Sequence, residues 1–117
     1  QIQKIDSNSF FCTSIEKILI PSQITRLYFG TFNGNEKLKF VVFQEDSLLQ
    51  KIDNAFAYSG IQCFCSPPKL RKFGINAFFE CRNIKIIELN DYFDINNFVS
   101  NCLKECNVNV IIMVHSK

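Results

Sequence analysis

The sequence is poor in the residues on which many catalytic sites depend. It contains no Trp, one Met and one His among its 117 residues. Nucleophilic catalysis needs a base beside the nucleophile, so a Cys–His pair would rest on His115 alone. No C-x-x-C motif occurs, which removes the thioredoxin type of redox site. We therefore expect no enzyme activity and no cofactor, with a thiol-based enzyme as the weakest alternative.

Long apolar runs and an excess of one charge are also absent. The longest clean apolar run is VIIMV at residues 110–114, whereas a membrane-spanning helix needs about 20 such residues. The formal net charge is +2, and Lys and Arg are scattered along the chain. This bias is too small to indicate nucleic acid or an anionic membrane as a partner. Because the first residue is Gln, we expect a fragment of a longer chain.

Apolar residues are abundant and recur with a period. They make up 47% of the chain, enough for a single domain with a modest core. Aromatic positions repeat at Phe10, Phe32, Phe56 and Phe78, in steps of 22, 24 and 22 residues. The sequences NSF, GTF, NAF and NAF end at these positions. We call these four Phe residues the column residues of their units. A column residue together with the small residue before it is called the hook of its unit.

Apolar residues around the hook keep the same period. Before it come Ile2, Ile24, Leu49 and Leu70, and then Ile5, Leu27, Ile52 and Phe73. After it come Ile15, Ile18 and Ile20; Leu38, Val41 and Phe43; Ile61, Phe64 and Ser66; and Ile84, Ile87 and Leu89. This is the L-x-x-L-x-L pattern of a leucine-rich repeat. Alternation by two predicts a strand in each unit, with Ile18 inward and Leu19 outward.

The pattern predicts an α/β solenoid of four to five short coils with a parallel sheet on one face. The whole of 1–117 forms one domain, with repeats at about 2–23, 24–47, 48–69 and 70–90 and an atypical unit at 91–117. Coils of this size cannot bury their apolar residues alone, so neighbours stack and share one core.

Three features resemble the BspA-like leucine-rich repeats of bacterial and protist surface antigens. They are Ile20-Pro21, the small-residue–Phe hook, and a cysteine soon after the hook at Cys12 and Cys81. The resemblance covers about residues 1–90. It implies recognition of a protein or another ligand, often at a cell surface, with no catalytic residues to transfer.

The last part of the chain departs from the period. Apolar residues in DINNFVSNCLKEC, residues 94–106, follow helical spacing. Asp94 is the expected N-cap, and Asn107 is placed to end the helix. NVNVIIMV, residues 107–114, reads as a strand. Aligning Ile111 with Ile87 makes it the fifth strand. Either this unit caps the solenoid, or it is a degenerate fifth repeat with Phe93, Phe98 and Leu103 in the usual positions.

The six cysteines are expected to be structural thiols, with a native disulfide as the minor alternative. Cys63 and Cys65 lie two apart on a strand, which places their Cα atoms at the limit of disulfide geometry. A metal site of Cys63, Cys65, Cys81 and His115 matches no usual ligand spacing. Two other polar segments, Glu45-Asp46 and FNGNEK at 32–37, read as turns.

The outward face of the predicted sheet is the candidate binding surface. The register assigns to it Lys17, Leu19, Phe40, Val42, Cys63, Cys65, Ile86 and Glu88, with Glu88 its only carboxylate. Most of these side chains are apolar, although a solvated sheet face is usually polar. An exposed apolar face indicates a partner, so we expect a recognition module for a protein or other macromolecule. The alternative is a structural spacer in a longer surface array, with the face covered by neighbouring sequence.

Overall fold

The computed structural model describes residues 15–106 and 109–115. Phe10, Cys12 and Asn107 lie outside the described residues, and so does most of the first repeat. Within the part described, no helix is long and apolar enough to cross a membrane.

Within residues 15–106 and 109–115, eight short strands and one helix form the successive coils. The strands are β1 (Lys17–Ile20), β2 (Arg26–Leu27), β3 (Phe40–Phe43), β4 (Lys51–Ile52), β5 (Cys63–Cys65), β6 (Lys72–Phe73), β7 (Ile86–Asn90) and β8 (Ile111–His115), and the helix α1 is Ile95–Cys102. Five strands form a sheet in the order β1-β3-β5-β7-β8, and all neighbouring pairs are parallel. The solenoid predicted from the sequence is confirmed.

A second sheet, β2-β4-β6, runs along another side of the coils and was not expected from the sequence. Each strand has only two residues, too few for alternation to reveal them. Leu27, Ile52 and Phe73 nevertheless pair in register across this sheet. These three apolar residues, which recur with the period of the sequence, therefore occupy equivalent positions in the coils, although Ile52 lies four residues before Phe56 and the other two lie five before their Phe.

The core is built around the stacked rings of the hooks. Phe56 lies parallel to Phe32 on one side and Phe78 on the other, with ring centroids 5.3 and 5.4 Å apart. Phe64 from the inward row of the main sheet meets Phe56 and Phe78 edge-on, at 6.3 and 5.2 Å. All four rings are at most 1% exposed. The period in the sequence thus becomes a continuous aromatic spine.

Backbone hydrogen bonds connect each hook to the next. Phe32 N donates to Ala55 O at 2.8 Å, and Phe56 N donates to Ala77 O at 3.1 Å. Phe78 N continues the series by donating to Cys102 O at 3.1 Å. Buried backbone N–H and C=O groups need hydrogen-bond partners. The hooks find these partners in the neighbouring coil, although they are neither helix nor strand.

The residue two positions after each column residue adopts a left-handed backbone. The φ angles are 75° at Gly34, 62° at Tyr58, 54° at Glu80 and 61° at Glu105. The last value places Leu103 in the column position of a fifth coil, where a Phe stands in earlier coils. Of the two interpretations of the C-terminal unit, these angles and the hydrogen bond to Cys102 support the degenerate fifth repeat.

The helix is shorter than the sequence pattern predicted. Asp94 is its N-cap, as expected, and its side chain accepts hydrogen bonds from the N–H groups of Asn96 and Asn97. The helix ends at Cys102 with Leu103 as C-cap, so the predicted extension to residue 106 is wrong. Residues 101–104 form the hook that pairs with coil four. Because the hook conformation is not helical, the helix cannot continue through it.

The last strand joins the sheet one residue away from the predicted alignment. Ile111 pairs with Ile86 rather than with Ile87, which pairs with Ile112. The strand is the fifth of the sheet, as predicted, but the step from Ile87 is 25 residues. This slip matters because it turns Ile111 and Met113 outward, where they are 58% and 48% exposed.

Candidate recognition surface

Two parallel rows of side chains form the outward face of the main sheet. The first row is Lys17, Phe40, Cys63, Ile86 and Ile111; the second is Leu19, Val42, Cys65, Glu88 and Met113. All eight residues assigned to this face from the sequence lie on it. Sequence reasoning missed Ile111 and Met113, although alternation within VIIMV, residues 110–114, carried the signal.

The apolar members of these rows make a continuous exposed strip, which we call the sheet strip. It consists of Leu19, Phe40, Val42, Ile86, Ile111 and Met113, which are 54%, 41%, 38%, 37%, 58% and 48% exposed. Each of the five strands contributes at least one apolar or thiol side chain to this face. Buried residues alternate with them, such as Val41 at 7% and Phe64 at 1%. The exposure is thus a property of one face and not of loose packing.

A small depression adjoins the strip at the carboxyl ends of β3 and β5. Its volume is about 320 Å³, and Val42, Cys65 and the Pro67-Pro68 pair contribute to its wall. The prolines remove two backbone donors from this edge, which keeps the depression predominantly apolar. It offers a place where one side chain of a partner can anchor.

Cys63 and Cys65 point outward from β5 and are exposed free thiols. Burial raises the pKa of the Cys65 thiol, and the neighbouring Glu88 carboxylate raises this pKa further by its charge and by a hydrogen bond. Glu88, the only carboxylate that the register assigns to this face, therefore interacts with Cys65. A raised pKa leaves fewer thiolate ions at neutral pH, and the thiolate is the nucleophile.

The substitution Glu88→Gln is expected to increase the reactivity of Cys65. Removing the negative charge stabilises the thiolate, so at pH 8 modification by an aromatic disulfide reagent should be about two- to fivefold faster. Cys63 and Cys65 lie in one peptide between Lys51 and Lys69, so peptide mapping in a Cys63→Ser background would follow Cys65 separately, and the rate at Cys81 serves as the internal control. An unchanged rate at Cys65 would show that Glu88 does not set its acidity.

The other described cysteines point into the coils. The Cys81 thiol donates to Phe56 O at 2.9 Å, and one coil later the Cys106 thiol donates to Phe78 O at 2.8 Å. Burial raises the pKa of both Cys81 and Cys102 to about 12. These three thiols satisfy buried backbone or fill small spaces, in agreement with the structural role predicted for Cys81 and Cys102.

The structure does not bring the hypothetical metal ligands together. Cys63 and Cys65 lie on the outer face of the sheet, whereas Cys81 is buried in the hook of coil four. Within residues 15–106 and 109–115, no three His, Cys, Asp or Glu side chains are close enough to share a metal ion.

The polar segments expected to form turns do so: Glu45 and Asp46 are exposed in the turn after β3, and residues 32–37 are turns between hook and strand.

The periodic hooks, the parallel sheet and the outward strip can now be compared with known proteins. The family model described as BspA type Leucine rich repeat region matches residues 2–116, in six copies. The chain belongs to the BspA-type leucine-rich repeat family. No curated protein and no solved structure matches the chain. The BspA-type repeat accounts for the periodic hooks and for the parallel sheet along one side of the coils.

Proposed function

We propose that this BspA-type module is a non-catalytic recognition domain that binds a protein or another macromolecule through the sheet strip. The observation that supports this most is the exposure of six large apolar side chains on one face of a regular sheet. Exposed apolar surface of this continuity marks interaction sites in monomeric proteins. The raised thiol pKa values weigh against a thiol-based enzyme, because they favour the unreactive protonated form.

The strip has the composition of the centre of an interface. Phe40 and Met113 supply a ring and a flexible thioether, two groups enriched at interfaces. Lys17 lies at one end of the first row, and Glu88 lies between Cys65 and Met113 in the second row, so the apolar side chains have one charged group of each sign beside them. The depression beside Val42 and Cys65 would accept an anchoring side chain.

A structural spacer in a longer array is the second candidate, and one observation favours it. Val114 pairs with Leu89 in the inward row, yet Val114 is 41% exposed whereas Leu89 is fully buried. The inward side of β8 therefore offers apolar surface on which another coil could stack. In a spacer, the sheet strip would be covered by other parts of the same array.

One pair of variants tests the recognition function. We expect Phe40→Ser with Val42→Ser to fold and to weaken partner capture by about tenfold or more, because the residues whose truncation costs more than about 1 kcal/mol cluster near the centre of an interface. The matched control is Leu48→Ser with Ile75→Ser. These residues are 39% and 70% exposed but lie outside the main sheet. The control should capture partners as the native chain does.

The measurement is capture of surface-labelled and soluble cell proteins on each immobilised variant, followed by titration of the captured species. Circular dichroism and thermal unfolding establish that both double variants are folded. Equal capture by the strip variant and the native chain would contradict recognition through the strip. That result, or no specific capture by the native chain, would favour the spacer.

A further inference from the structure

The flank formed by β2, β4 and β6 carries a concentration of positive charge that the sheet strip does not use. Lys51, Lys69, Arg71 and Lys72, which we call the basic cluster, line an open depression of about 550 Å³ together with Gln50. None of the described residues that line this depression is acidic. A cluster of one sign around a concave surface attracts counterions of the other sign.

The register of the small sheet brings these cations together. Lys51 pairs with Lys72 across β4 and β6, and with Arg26 across β2 and β4. Parallel strands lie about 4.8 Å apart, and like charges directly opposite one another on a sheet are destabilising. Three cations therefore stand in one row at a spacing that disfavours the fold unless an anion lies near.

Among the described residues, the carboxylate of Asp53 pairs with this row. It neutralises the end of the row on β2 and β4 and not the end on β6. Asp53 Oδ2 accepts from Arg26 Nη2 at 2.8 Å, and Asp53 Oδ1 lies 3.5 Å from Lys51 Nζ. Within residues 15–106 and 109–115, Lys69 and Lys72 make no ion pair. The end of the row at β6 thus remains uncompensated.

Arg71 is held in place without a carboxylate. Its Nη1 donates to Pro68 O at 2.9 Å and to Leu70 O at 3.0 Å, and its guanidinium lies over the Tyr92 ring at 5.0 Å. These contacts fix the planar group and occupy only one of its three nitrogens with hydrogen bonds. A guanidinium positioned in this way suits an oxyanion, which takes two parallel hydrogen bonds from it.

An aromatic cleft lies next to the basic cluster. Its volume is about 250 Å³, and its wall includes Tyr92, Phe93 and Phe98 as well as Arg71 and Lys72. One carboxylate, that of Asp94, also lines the cleft, where it accepts the N-cap hydrogen bonds of α1. Because the two concave surfaces share Arg71 and Lys72, one ligand can reach both. The cationic side suits an anion, and the cleft suits a flat apolar group.

We propose that the basic cluster binds a phosphate or sulfate ester, with the aromatic cleft receiving the apolar group that carries it. Both esters present a tetrahedral oxyanion to Arg71, Lys69 and Lys72. This site lies on the flank of the solenoid, so it is separate from the sheet strip. Its occupation would also supply the negative charge that the row of cations lacks.

The test is a titration followed by backbone amide NMR at constant ionic strength. The probes are phenyl phosphate and phenyl sulfate, with inorganic phosphate and inorganic sulfate as references. We expect saturable shifts at Lys51, Arg71, Lys72 and Tyr92, and at least about threefold tighter binding of a phenyl ester than of the matching inorganic ion. The tighter of the two esters identifies the source of the oxyanion.

Two double variants distinguish a site from general attraction to positive charge. Lys69→Gln with Lys72→Gln should weaken phenyl ester binding by about tenfold or more. Lys37→Gln with Lys85→Gln removes the same charge from exposed positions that do not line the depression or the cleft, and should change affinity by less than about twofold. Phe40→Ser with Val42→Ser should leave ester binding unchanged, so failure of the strip and failure of this site are separable.

Three results would overturn the proposal. Shifts that stay linear to the highest probe concentration would mean that no site exists. Equal loss in the two lysine double variants would mean attraction to net charge alone. Equal affinity for phenyl esters and inorganic ions would remove the aromatic cleft from the site.

Discussion

Phe56→Ala is expected to remove a large part of the stability of the domain. Phe56 is fully buried and lies between Phe32 and Phe78, and Phe64 packs against its edge. Replacing a buried Phe by Ala costs about 3–5 kcal/mol, and lost ring pairs add about 1 kcal/mol. Domains of this size have about 5–15 kcal/mol in total. The cavity also lies at the centre of the spine, where coils on both sides depend on it.

Urea unfolding followed by circular dichroism measures this loss. The matched control is Phe40→Ala, the same chemical change at a side chain 41% exposed on the sheet strip. It should cost no more than about 1 kcal/mol, as partly exposed positions do. A loss at Phe56 no larger than that at Phe40 would mean that the stacked rings do not hold the coils together.

The spine and the sheet face could be predicted from the sequence because one period fixes both. Phe32, Phe56 and Phe78 stand at the same point of each coil, and the apolar skeleton that follows each one aligns the strands. Once Ile18 is inward, alternation makes Leu19 outward, and the same holds one coil later for Val41 and Val42. Because the coils stack, this alternation of inward and outward residues repeats from strand to strand and forms a continuous surface.

The C-terminal unit was harder to predict because two local patterns compete there. Residues 95–106 satisfy helical spacing, but pairing with coil four imposes a hook at Leu103 and a left-handed residue at Glu105. Tertiary pairing prevails over the helical preference after Cys102. β8 also lies one residue from the alignment predicted from the sequence, and this register places Ile111 and Met113 in the sheet strip.

The basic cluster was invisible in the sequence for a different reason. Lys and Arg are scattered along the chain, and their net excess over Asp and Glu is small. Arg26, Lys51 and Lys72, however, stand at one position of three successive coils, so the register collects them into a row. In a solenoid, a charged surface is predicted by comparing residues at the same position of successive coils, and not by searching for runs of charge along the chain.

Gly60→Ala is expected to be the second severe substitution, because of how one turn is built. The turn that follows the hook differs in length between coils. In coils two and four, the dipeptides Glu36-Lys37 and Arg82-Asn83 separate the third residue after the column Phe from the next apolar residue. Coil three has only Gly60 there, so its chain takes a shorter path close to coil two. Gly60 N donates to Asn35 O at 2.9 Å along this path.

A Cβ at residue 60 has no space beside coil two. It would lie 2.0 Å from Glu36 O and 3.0 Å from Leu38 O, both rigid backbone atoms. Relief requires coils two and three to separate, which weakens the Gly60 hydrogen bond and the packing of Phe32 on Phe56. We expect Gly60→Ala to lower the free energy of unfolding by about 3 kcal/mol or more.

Two comparisons separate this close approach from the general cost of replacing glycine. Gly74→Ala places a Cβ 3.1 Å from Asp53 Cα, a contact that a small shift relieves, so its cost should be about 1 kcal/mol. Replacing Gly60 by the dipeptide Arg-Asn of coil four should cost less than Gly60→Ala, because a two-residue turn passes outside Glu36 and longer turns add little entropy. Urea unfolding of the three variants gives the order directly. If Gly60→Ala were as stable as Gly74→Ala, the shorter turn would not be what holds coils two and three at their observed separation.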